Sequence, residues 1–281
     1  MFANLLQGNC IEWMDKMIDQ GVETDLILTS PPYDNVRSYN GAGDDWNFDV
    51  FKNIADRLSK VMKKHSVLVW VVDNGTINGG ETGTSFRQAL YFMDQCGLTL
   101  HDTMIYHKNS CSFWPSRKSK RYAQTFEYMF VFTNGKIRND ITLLAEHKNK
   151  YSGLTSFGQQ TQYDREGNMV IPTKPKHVVP EFSLNENVWD IVNACDKDNK
   201  KYHHPAIFPE KLAEKHIKSW TLPNNNEIVF DPFMGSATTG KMALSNGCSF
   251  IGTEITPEYY EMSRDRIKSY FPDIRLVEGQ I

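Results

Sequence analysis

The sequence predicts an α/β domain with a mostly parallel sheet, because short apolar runs typical of strands alternate with segments of helical periodicity. The run Val67–Val72 is continuously apolar, as in a parallel strand that is buried on both faces. The segment after Asn47 instead places apolar residues three and four positions apart, with Lys and Arg opposite them. A chain of 281 residues is long enough for one large domain, or for one domain with a sizeable insertion.

The first half of the chain supplies strands and helices in alternation. Strands are predicted at residues 3–6, 26–28, 67–72, 98–107 and 126–133. Asn9 and Asn47 can each cap the helix that follows. A third helix is predicted at 85–96 and ends at Gly97, because glycine readily takes the left-handed conformation found after helices.

Residues 136–202 are the least regular part of the chain, polar and poor in periodic apolar positions. Beyond them the pattern resumes with a helix from Pro209, whose apolar side is predicted to hold Leu212, Ala213, His216, Ile217 and Trp220. The remaining predicted elements are a strand at 228–230, a helix at 238–245, a strand at 250–252 and a helix at 257–270 capped by Thr256. We therefore divide the chain into residues 1–135, a variable insertion at 136–202 and residues 203–281.

Composition excludes several classes of protein. The five cysteines are scattered and contain no Cys-x-x-Cys pair, so neither a disulfide framework nor a metal site is predicted. No apolar run approaches the roughly 18 residues of a membrane span, and the N-terminus lacks a signal-peptide pattern, so we expect a cytoplasmic protein without a membrane partner. The net charge of −3 does not by itself indicate nucleic-acid binding.

The stretch Thr29–Tyr33 closes the apolar run Leu26–Leu28 with two consecutive prolines. Proline lacks an N–H and restricts the residue before it, so the strand is expected to stop abruptly there. Ligands of open α/β sheets bind at such carboxyl ends of strands. The Ser30 hydroxyl and the carbonyls of Ser30 and Pro31 can accept hydrogen bonds from the amino group of a flat ring. The aromatic side chain of Tyr33 can stack on that ring. A Pro-Pro loop with a surface tyrosine is the alternative interpretation.

The glycine-rich turn between 231 and 242 has two interpretations. Gly235, four further residues and Gly240-Lys241 nearly match a phosphate-binding loop, but Met242 replaces the Ser or Thr that would hold magnesium, which disfavours a nucleotide hydrolase. The other interpretation is an adenosine-binding site, in which a strand, this turn, a helix and an acid at the end of the next strand follow one another. In that interpretation Glu254 holds the ribose hydroxyls. Asp231 is expected to be free to hold an ammonium group, which favours S-adenosylmethionine as the ligand.

Together the two stretches resemble the amino-methyltransferases that modify adenine N6 or cytosine N4 in DNA. The resemblance joins the tetrad Ser30-Pro31-Pro32-Tyr33 to the turn Asp231–Gly240, in the order of the permuted β group of that family. Further matches are Gly8-Asn9-Cys10, Gln124-Thr125-Phe126-Glu127-Tyr128 and His204-Pro205-Ala206-Ile207-Phe208-Pro209. Asn9 stands where the family usually has an acid, and Ala237 replaces the usual second glycine.

The resemblance implies a Rossmann-like, circularly permuted methyltransferase fold with helices on both faces of the sheet. Residues 1–135 would be its catalytic half, 136–202 its target-recognition insertion and 203–281 its cofactor-binding half. It implies methyl transfer from S-adenosylmethionine to a base flipped out of double-stranded DNA. The implied catalytic residues are Ser30, Pro31, Pro32 and Tyr33. The implied cofactor-binding residues are Asn9, Phe208, Asp231, Phe233, Gly235, Ser236, Thr238 and Glu254.

Within the family, a serine at the first tetrad position favours cytosine N4, with adenine N6 as the alternative. No cysteine follows a proline, so the nucleophile of the 5-methylcytosine enzymes is absent. Residues 107–150 carry nine Lys or Arg against three acids, which indicates either a solvated loop face or a DNA-contacting surface. The predicted DNA contacts are Tyr39, Arg117, Lys118, Lys120 and Arg121.

Other functions and partners remain open from the sequence. A methyltransferase for RNA or a protein amide, and a non-catalytic DNA-binding protein of the same fold, are the alternatives. The partners to be tested, besides DNA, are a second copy of the chain as a homodimer and a cognate restriction endonuclease.

Overall fold

A computed structural model describes residues 1–33, 46–108, 115, 120–155, 162–170, 178–192, 208–222 and 225–281. The chain divides into two compact units, the first formed by Met1–Ile141 and Asn187–Ile281 and the second by Thr142–Glu186. The elements, in chain order, are β1 (Phe2–Gln7), α1 (Cys10–Asp19), β2 (Thr24–Thr29), α2 (Phe48–Val61), β3 (Met62–Val72), β4 (Thr76–Ile77), β5 (Gly80–Glu81), α3 (Thr84–Asp94), β6 (Thr99–Lys108), β7 (Phe126–Thr133), β8 (Leu144–Lys148), β9 (Gln162–Tyr163), β10 (Met169–Val170), β11 (Phe182–Leu184), β12 (Val188–Ile191), α4 (Glu210–Trp220), β13 (Ile228–Asp231), α5 (Thr238–Ser245), β14 (Ser249–Glu254), α6 (Pro257–Tyr270) and β15 (Arg275–Glu278).

The first unit is built on a nine-stranded sheet with the order β12-β6-β7-β3-β2-β13-β14-β1-β15. Strand β7 is antiparallel to both of its neighbours, and every other adjacent pair in this sheet is parallel. The predicted α/β class with a mostly parallel sheet is therefore confirmed. The first strand of the chain lies beyond β14 in the sheet, which fits the permuted order that the sequence implies.

Strands β2 and β13 form the point at which the strand order reverses. They are parallel neighbours, with Ile27 opposite Phe230, although most of the chain lies between them. From β2 the sheet continues outward through β3, and from β13 it continues in the other direction through β14. Ligands of open α/β sheets bind in the crevice at the carboxyl ends of such a pair.

Helices pack on both faces of the sheet. On one face, α1, α2 and α3 contribute Met14, Phe51 and Phe92 to a buried cluster that includes Phe130 and Ile251 from the sheet. Successive side chains of a strand point to opposite faces, so Met129 and Phe250 belong to the other face. There His216 of α4 lies 3.2 Å from the Met129 sulfur, and Gly240 of α5 packs against the Phe250 ring.

Most predicted elements agree with the structure, and several details differ. Helix α3 ends at Asp94, two residues earlier than predicted, so Gly97, at φ +69°, lies in the turn beyond it. Strand β12 lies inside the segment expected to be irregular, with Trp189 and Ile191 buried. Edge strand β15 was not predicted. Strands β12 and β15 have four residues each, and the other strands that were not predicted, β4, β5 and β8–β11, have two to five, which is too short for periodicity to distinguish a strand from a loop.

The second unit consists of short antiparallel pairs. Strand β8 pairs with β11 and β9 with β10, and an isolated bridge joins Thr155 to Val178. The role of this second unit in target recognition remains a prediction.

In the parts of the chain that the structure describes, no helix is both long and apolar enough to cross a bilayer. Cys10, Cys96 and Cys248 are free thiols.

Candidate active site

The tetrad Ser30–Tyr33 and the glycine-rich turn meet at the carboxyl ends of β2 and β13. Thr29, the last residue of β2, donates a hydrogen bond of 2.7 Å from its hydroxyl to Asp231 Oδ1, at the end of β13. Both side chains are buried. Tyr33 and Phe233, just beyond the two strands, pack against the same apolar cluster. A direct hydrogen bond therefore links the strand end before the tetrad to the strand end before the glycine-rich turn.

Asp231 anchors the turn rather than standing free for an ammonium group, so that expectation is corrected. Its Oδ1 accepts from the Phe233 N–H at 3.0 Å as well as from Thr29, and the Thr239 side chain also hydrogen-bonds to the carboxylate. Burial raises the pKa of Asp231 to about 6, although these three donors act in the opposite direction. The carboxylate thus fixes the backbone of the turn. A cofactor-binding role for it remains a prediction.

The glycine-rich turn needs left-handed backbone at two positions. Gly235 has φ +52° and Ala237 has φ +56°, so the alanine that replaces the family's second glycine adopts a conformation that glycine takes without strain. The family's preference for glycine at position 237 is therefore explained by backbone geometry. The structure shows that alanine is accommodated there, fully buried.

Glu254 has a structural role as well as its predicted ribose-binding role. Its Oε2 accepts from the Gly235 N–H and its Oε1 from the Thr256 N–H, each at 2.9 Å. Burial raises the pKa of this carboxyl group. Each carboxylate oxygen can accept a second hydrogen bond. The Thr256 side chain also hydrogen-bonds to this carboxylate, so three donors hold it in place and an acceptor position is left for a ribose hydroxyl.

The tetrad Ser30–Tyr33 is linked to an ion pair that lies on two other strands. The hydroxyls of Ser30 and Tyr33 are 2.9 Å apart, and Tyr33 donates a hydrogen bond of 3.0 Å to Glu127 Oε2. Lys108 Nζ contacts the other oxygen of Glu127 at 2.5 Å. Because β7 is antiparallel, its first residues lie at the same sheet edge as the ends of β2 and β6. Burial and the Glu127 charge raise the pKa of Tyr33 well above its usual value.

Asp73 follows β3 at the same edge and was not predicted as a site residue. Burial raises its pKa to about 6, and Gln124 Nε2 donates to its Oδ1 at 3.3 Å. The charge of Asp73 contributes to the raised pKa of Tyr33. The position directly after a buried strand is the sequence feature that could have identified it.

Arg266, on α6, forms hydrogen bonds to the glycine-rich turn and was not predicted as a site residue. It is fully buried, and its Nη1 donates to the Ser236 carbonyl at 2.9 Å and to the Thr238 hydroxyl at 3.0 Å. Its Nη2 donates to Glu210 Oε1 at 2.8 Å. Ser236 and Thr238, predicted to bind the cofactor, are thus held in place by this arginine.

The phosphate-loop interpretation fails on Lys241. Its ammonium group contacts Glu210 Oε1 at 2.6 Å and lies 3.8 Å from the centre of the Tyr270 ring. A phosphate-binding lysine would instead present its ammonium group to the ligand. Across the part of the chain that is described, no group of three or more His, Cys, Asp or Glu side chains is arranged to hold a metal ion.

Three further residues, Phe233, Asn9 and Phe208, were also predicted to bind the cofactor. Phe233 makes an edge-to-face contact with Trp46, with ring centres 5.7 Å apart. Asn9 is exposed, and its side chain caps α1 by accepting from the Ile11 N–H at 2.9 Å. Phe208 is half-buried immediately before α4. Their contacts with a cofactor remain predictions.

The predicted DNA contacts are only partly described. Tyr39, Arg117 and Lys118 lie outside the described residues. Lys120 is exposed, whereas Arg121 donates to the Gly79 carbonyl at 2.6 Å. Four basic residues of the 107–150 segment form ion pairs within the chain, namely Lys108, Arg121, Arg138 and Lys148. These ion pairs neutralise part of the positive charge of the segment, so less of that charge is available to DNA phosphates than the count of basic residues indicates.

The strand order and the glycine-rich turn at its reversal point are typical of nucleoside-binding α/β folds, which include the S-adenosylmethionine-dependent methyltransferases. A family model described as DNA methylase, covering N6 and N4 methyltransferases, matches residues 24–265. The chain belongs to this family.

The comparisons include relatives named for different activities. The chain is 47% identical to the orphan methyltransferase M.BamHII of Bacillus amyloliquefaciens, across 91% of this chain and 93% of the relative. It is 25% identical to the DNA adenine methyltransferase YhdJ of Escherichia coli, across 94% and 82%. The solved structure of the cytosine-N4-specific PvuII DNA methyltransferase has a similar fold, with a TM-score of 0.67 and 18% identity over 100% of this chain and 96% of that one.

The chain is therefore an S-adenosylmethionine-dependent DNA methyltransferase of the cytosine-N4 or adenine-N6 type. The relatives' names span both bases, so the base that is modified is a separate question.

Proposed function

We propose that this methyltransferase modifies specific sites in double-stranded DNA and that its target is the N4 amino group of a flipped cytosine. The observation that carries the proposal is the position of Ser30. It follows directly on Thr29, whose hydroxyl is bonded to the anchor of the cofactor turn, and its own hydroxyl lies within a hydrogen-bonded network.

The chemistry requires the amino group to be made nucleophilic. Its lone pair is delocalised into the ring, so acceptors that hold its N–H bonds help to turn that lone pair toward the methyl group. The Ser30 hydroxyl or carbonyl and the Pro31 carbonyl are the proposed acceptors, and Tyr33 is proposed to stack on the flipped base. Positioning and charge stabilisation then supply most of the rate enhancement, and no covalent enzyme intermediate is needed.

The cofactor half is proposed to bind S-adenosylmethionine through backbone, acid and aromatic groups. Glu254 is proposed to accept hydrogen bonds from the ribose hydroxyls, since backbone donors already hold its carboxylate in place. Phe233 and Phe208 are proposed to line the pocket. Gly235 permits close approach of the backbone, and Ser236 and Thr238 lie on the turn that Arg266 supports.

Adenine N6 is the second candidate target. It is favoured by the similarity to YhdJ, which is named an adenine methyltransferase. Cytosine is preferred because the tetrad of this chain begins with serine, which leans toward cytosine within the family. The same chemistry would serve either base.

Further partners and the cellular location are proposals as well. A cognate restriction endonuclease is a candidate partner, although the relative M.BamHII is named an orphan methyltransferase, which favours action without one. A homodimer is the other candidate assembly. The named relatives are bacterial, and bacterial DNA lies in the cytoplasm, which supports a cytoplasmic protein.

The test is to identify the modified nucleoside. Unmethylated bacterial genomic DNA is incubated with the protein and S-adenosylmethionine, digested to nucleosides and analysed by mass spectrometry. We expect N4-methylcytosine. N6-methyladenine would establish the second candidate, and modification of RNA but not of DNA in a parallel incubation would contradict the proposal.

Two substitutions test the proposed catalytic residues. Ser30→Ala and Tyr33→Ala are each assayed with S-adenosylmethionine carrying a tritiated methyl group. We expect both variants to lose most methyl transfer to DNA. If both retained it, the assignment of the tetrad would be wrong.

A further inference from the structure

The chain of hydrogen bonds that begins at Ser30 has a fixed direction. Tyr33 carries a single hydroxyl hydrogen, which it donates to Glu127 Oε2 at 3.0 Å. Lys108 contacts the other oxygen of Glu127 at 2.5 Å, and an ionised carboxylate only accepts. Tyr33 must then act as acceptor in its 2.9 Å contact with Ser30, so the Ser30 hydroxyl is the donor.

This direction determines what Ser30 offers to a substrate. A hydroxyl has one hydrogen and two lone pairs. Once its hydrogen is committed to Tyr33, only lone pairs are left on Ser30 Oγ, which is what the N–H groups of an amino substrate require. In the reverse direction, Tyr33 would donate to Ser30 and the Ser30 hydrogen could face the amino group, where it would oppose the substrate's own N–H.

We propose that Glu127, held by Lys108, is a positioning residue that fixes Ser30 Oγ as a hydrogen-bond acceptor for the target amino group. The inference rests on the proposed function, because it presupposes a substrate that donates N–H groups. Glu127 acts through Tyr33, and no contact between Glu127 and the base is needed.

Among the described residues, the surroundings favour Glu127 over the Val71 carbonyl as the acceptor for the Tyr33 hydroxyl. The Val71 carbonyl lies 3.4 Å from that oxygen, near the limit of a hydrogen bond, and is neutral. Glu127 is closer and charged, and bonds to charged acceptors are stronger. Both members of the Lys108–Glu127 pair are nearly buried, so water competes little with it. The raised pKa of Tyr33 keeps its hydroxyl protonated and able to donate at neutral pH.

Glu127→Gln is the informative substitution because it preserves shape and removes one acceptor. Lys108 requires an oxygen, so the glutamine is expected to turn its NH2 group toward Tyr33 and reverse or scramble the hydrogen bonds. We expect kcat for methyl transfer to fall at least about tenfold, with KM for DNA and the affinity for S-adenosylmethionine little changed. Tyr33→Phe, which keeps the ring for stacking but removes the hydroxyl, should lower kcat similarly.

Combined variants separate positioning from a general structural role. In the Lys108→Met/Glu127→Gln protein the amide can turn its oxygen to Tyr33, so kcat should recover relative to Glu127→Gln alone. In the Tyr33→Phe background, Glu127→Gln should have no further effect, because the chain is already broken. Glu278→Gln, at the exposed sheet edge, is the matched control and should behave like the wild type.

The outcomes are distinguishable. Wild-type protein that methylates no amino group overturns the proposed function and this assignment with it. An active wild type with undiminished kcat in folded Glu127→Gln overturns the positioning role alone. Absence of recovery in the Lys108→Met/Glu127→Gln protein, or additive losses in the Tyr33→Phe background, would also contradict it.

Discussion

The hydroxyl of Thr29 and the carboxylate of Asp231 share a buried hydrogen bond of 2.7 Å across 202 residues of sequence. It joins the strand end that precedes the proposed catalytic tetrad to the strand end that precedes the proposed cofactor turn. The same carboxylate also accepts from the Phe233 N–H. The geometry of one half of the site is therefore coupled directly to the other.

Replacing Thr29 tests that coupling. Thr29→Val keeps the shape but removes one of the three donors to the buried Asp231 carboxylate, so we expect a loss of about 1 to 3 kcal/mol in the free energy of unfolding. We also expect weaker binding of S-adenosylmethionine, measured by calorimetry. Thr24→Val on the same strand removes a 3.0 Å bond to the Val61 carbonyl, far from the turn, and should lower stability without altering cofactor affinity. Equal cofactor affinities in the two variants would contradict the coupling.

The buried Asp231 predicts a distinctive dependence of stability on pH. Its pKa of about 6 in the folded protein lies above the ordinary value of 3.8, so the folded state binds more protons than the unfolded chain between these values. Its contribution to stability therefore falls as pH rises from about 4 to about 6 and is constant above about 7. In urea titrations, wild-type stability should fall relative to Asp231→Asn across this window. A parallel pH dependence of the two proteins would show that Asp231 does not titrate in this way.

Glu254 is expected to contribute to both cofactor binding and the fold. In Glu254→Gln a single side-chain oxygen replaces the two that accept from Gly235 and Thr256, and the charge that strengthens hydrogen bonds to the ribose is lost. We expect calorimetry to show binding of S-adenosylmethionine weakened by at least about 1 kcal/mol.

The control for that experiment is Glu227→Gln. Glu227 is buried and also accepts a backbone hydrogen bond, from the Leu222 N–H at 3.0 Å, but it lies at the opposite end of β13. This variant should lose stability while cofactor affinity stays near that of the wild type. If it weakened the cofactor as much as Glu254→Gln, the effect would be a general result of destabilisation.

Gly240 permits the close packing of α5 on β14. A Cβ there would lie 2.6 Å from the Phe250 ring. Alanine normally stabilises a helix relative to glycine, but here we expect Gly240→Ala to destabilise the fold by about 1 to 3 kcal/mol because the ring is buried and cannot move freely. Gly80→Ala, where the nearest atom is 3.8 Å away, should be close to neutral in thermal unfolding. If Gly240→Ala were more stable than the wild type, the close packing of α5 on β14 would not require glycine at this position.

Sequence patterns predicted the parts of the site that depend on strand ends. The prolines after β2 and the acid at the end of β14 follow apolar runs, and parallel strands bring their carboxyl ends to one edge. That Ser30 and Glu254 lie at the same edge of the sheet was therefore predictable.

The side-chain network of the site was less predictable, because it joins residues whose strands or helices are neighbours only in the folded sheet. Nothing in the local pattern of α6 distinguishes Arg266 from its exposed neighbours, yet it is fully buried beneath Ser236. Lys108 was counted with the basic residues of a loop, but the order of β6 and β7 in the sheet brings it to Glu127. Local periodicity carries no information on strand order, so such pairs emerge only with the topology.

The central claim is that the tetrad and the cofactor turn serve a single reaction centre. The most direct measurement is a crystal structure of the protein with a non-transferring analogue of S-adenosylmethionine and substrate DNA. We predict that the flipped base's amino nitrogen contacts Ser30 and Pro31 and lies about 3 to 3.5 Å from the position of the transferable methyl group. A cofactor bound away from Phe233 and Glu254, or a base held in a different cleft from Tyr33, would contradict the account.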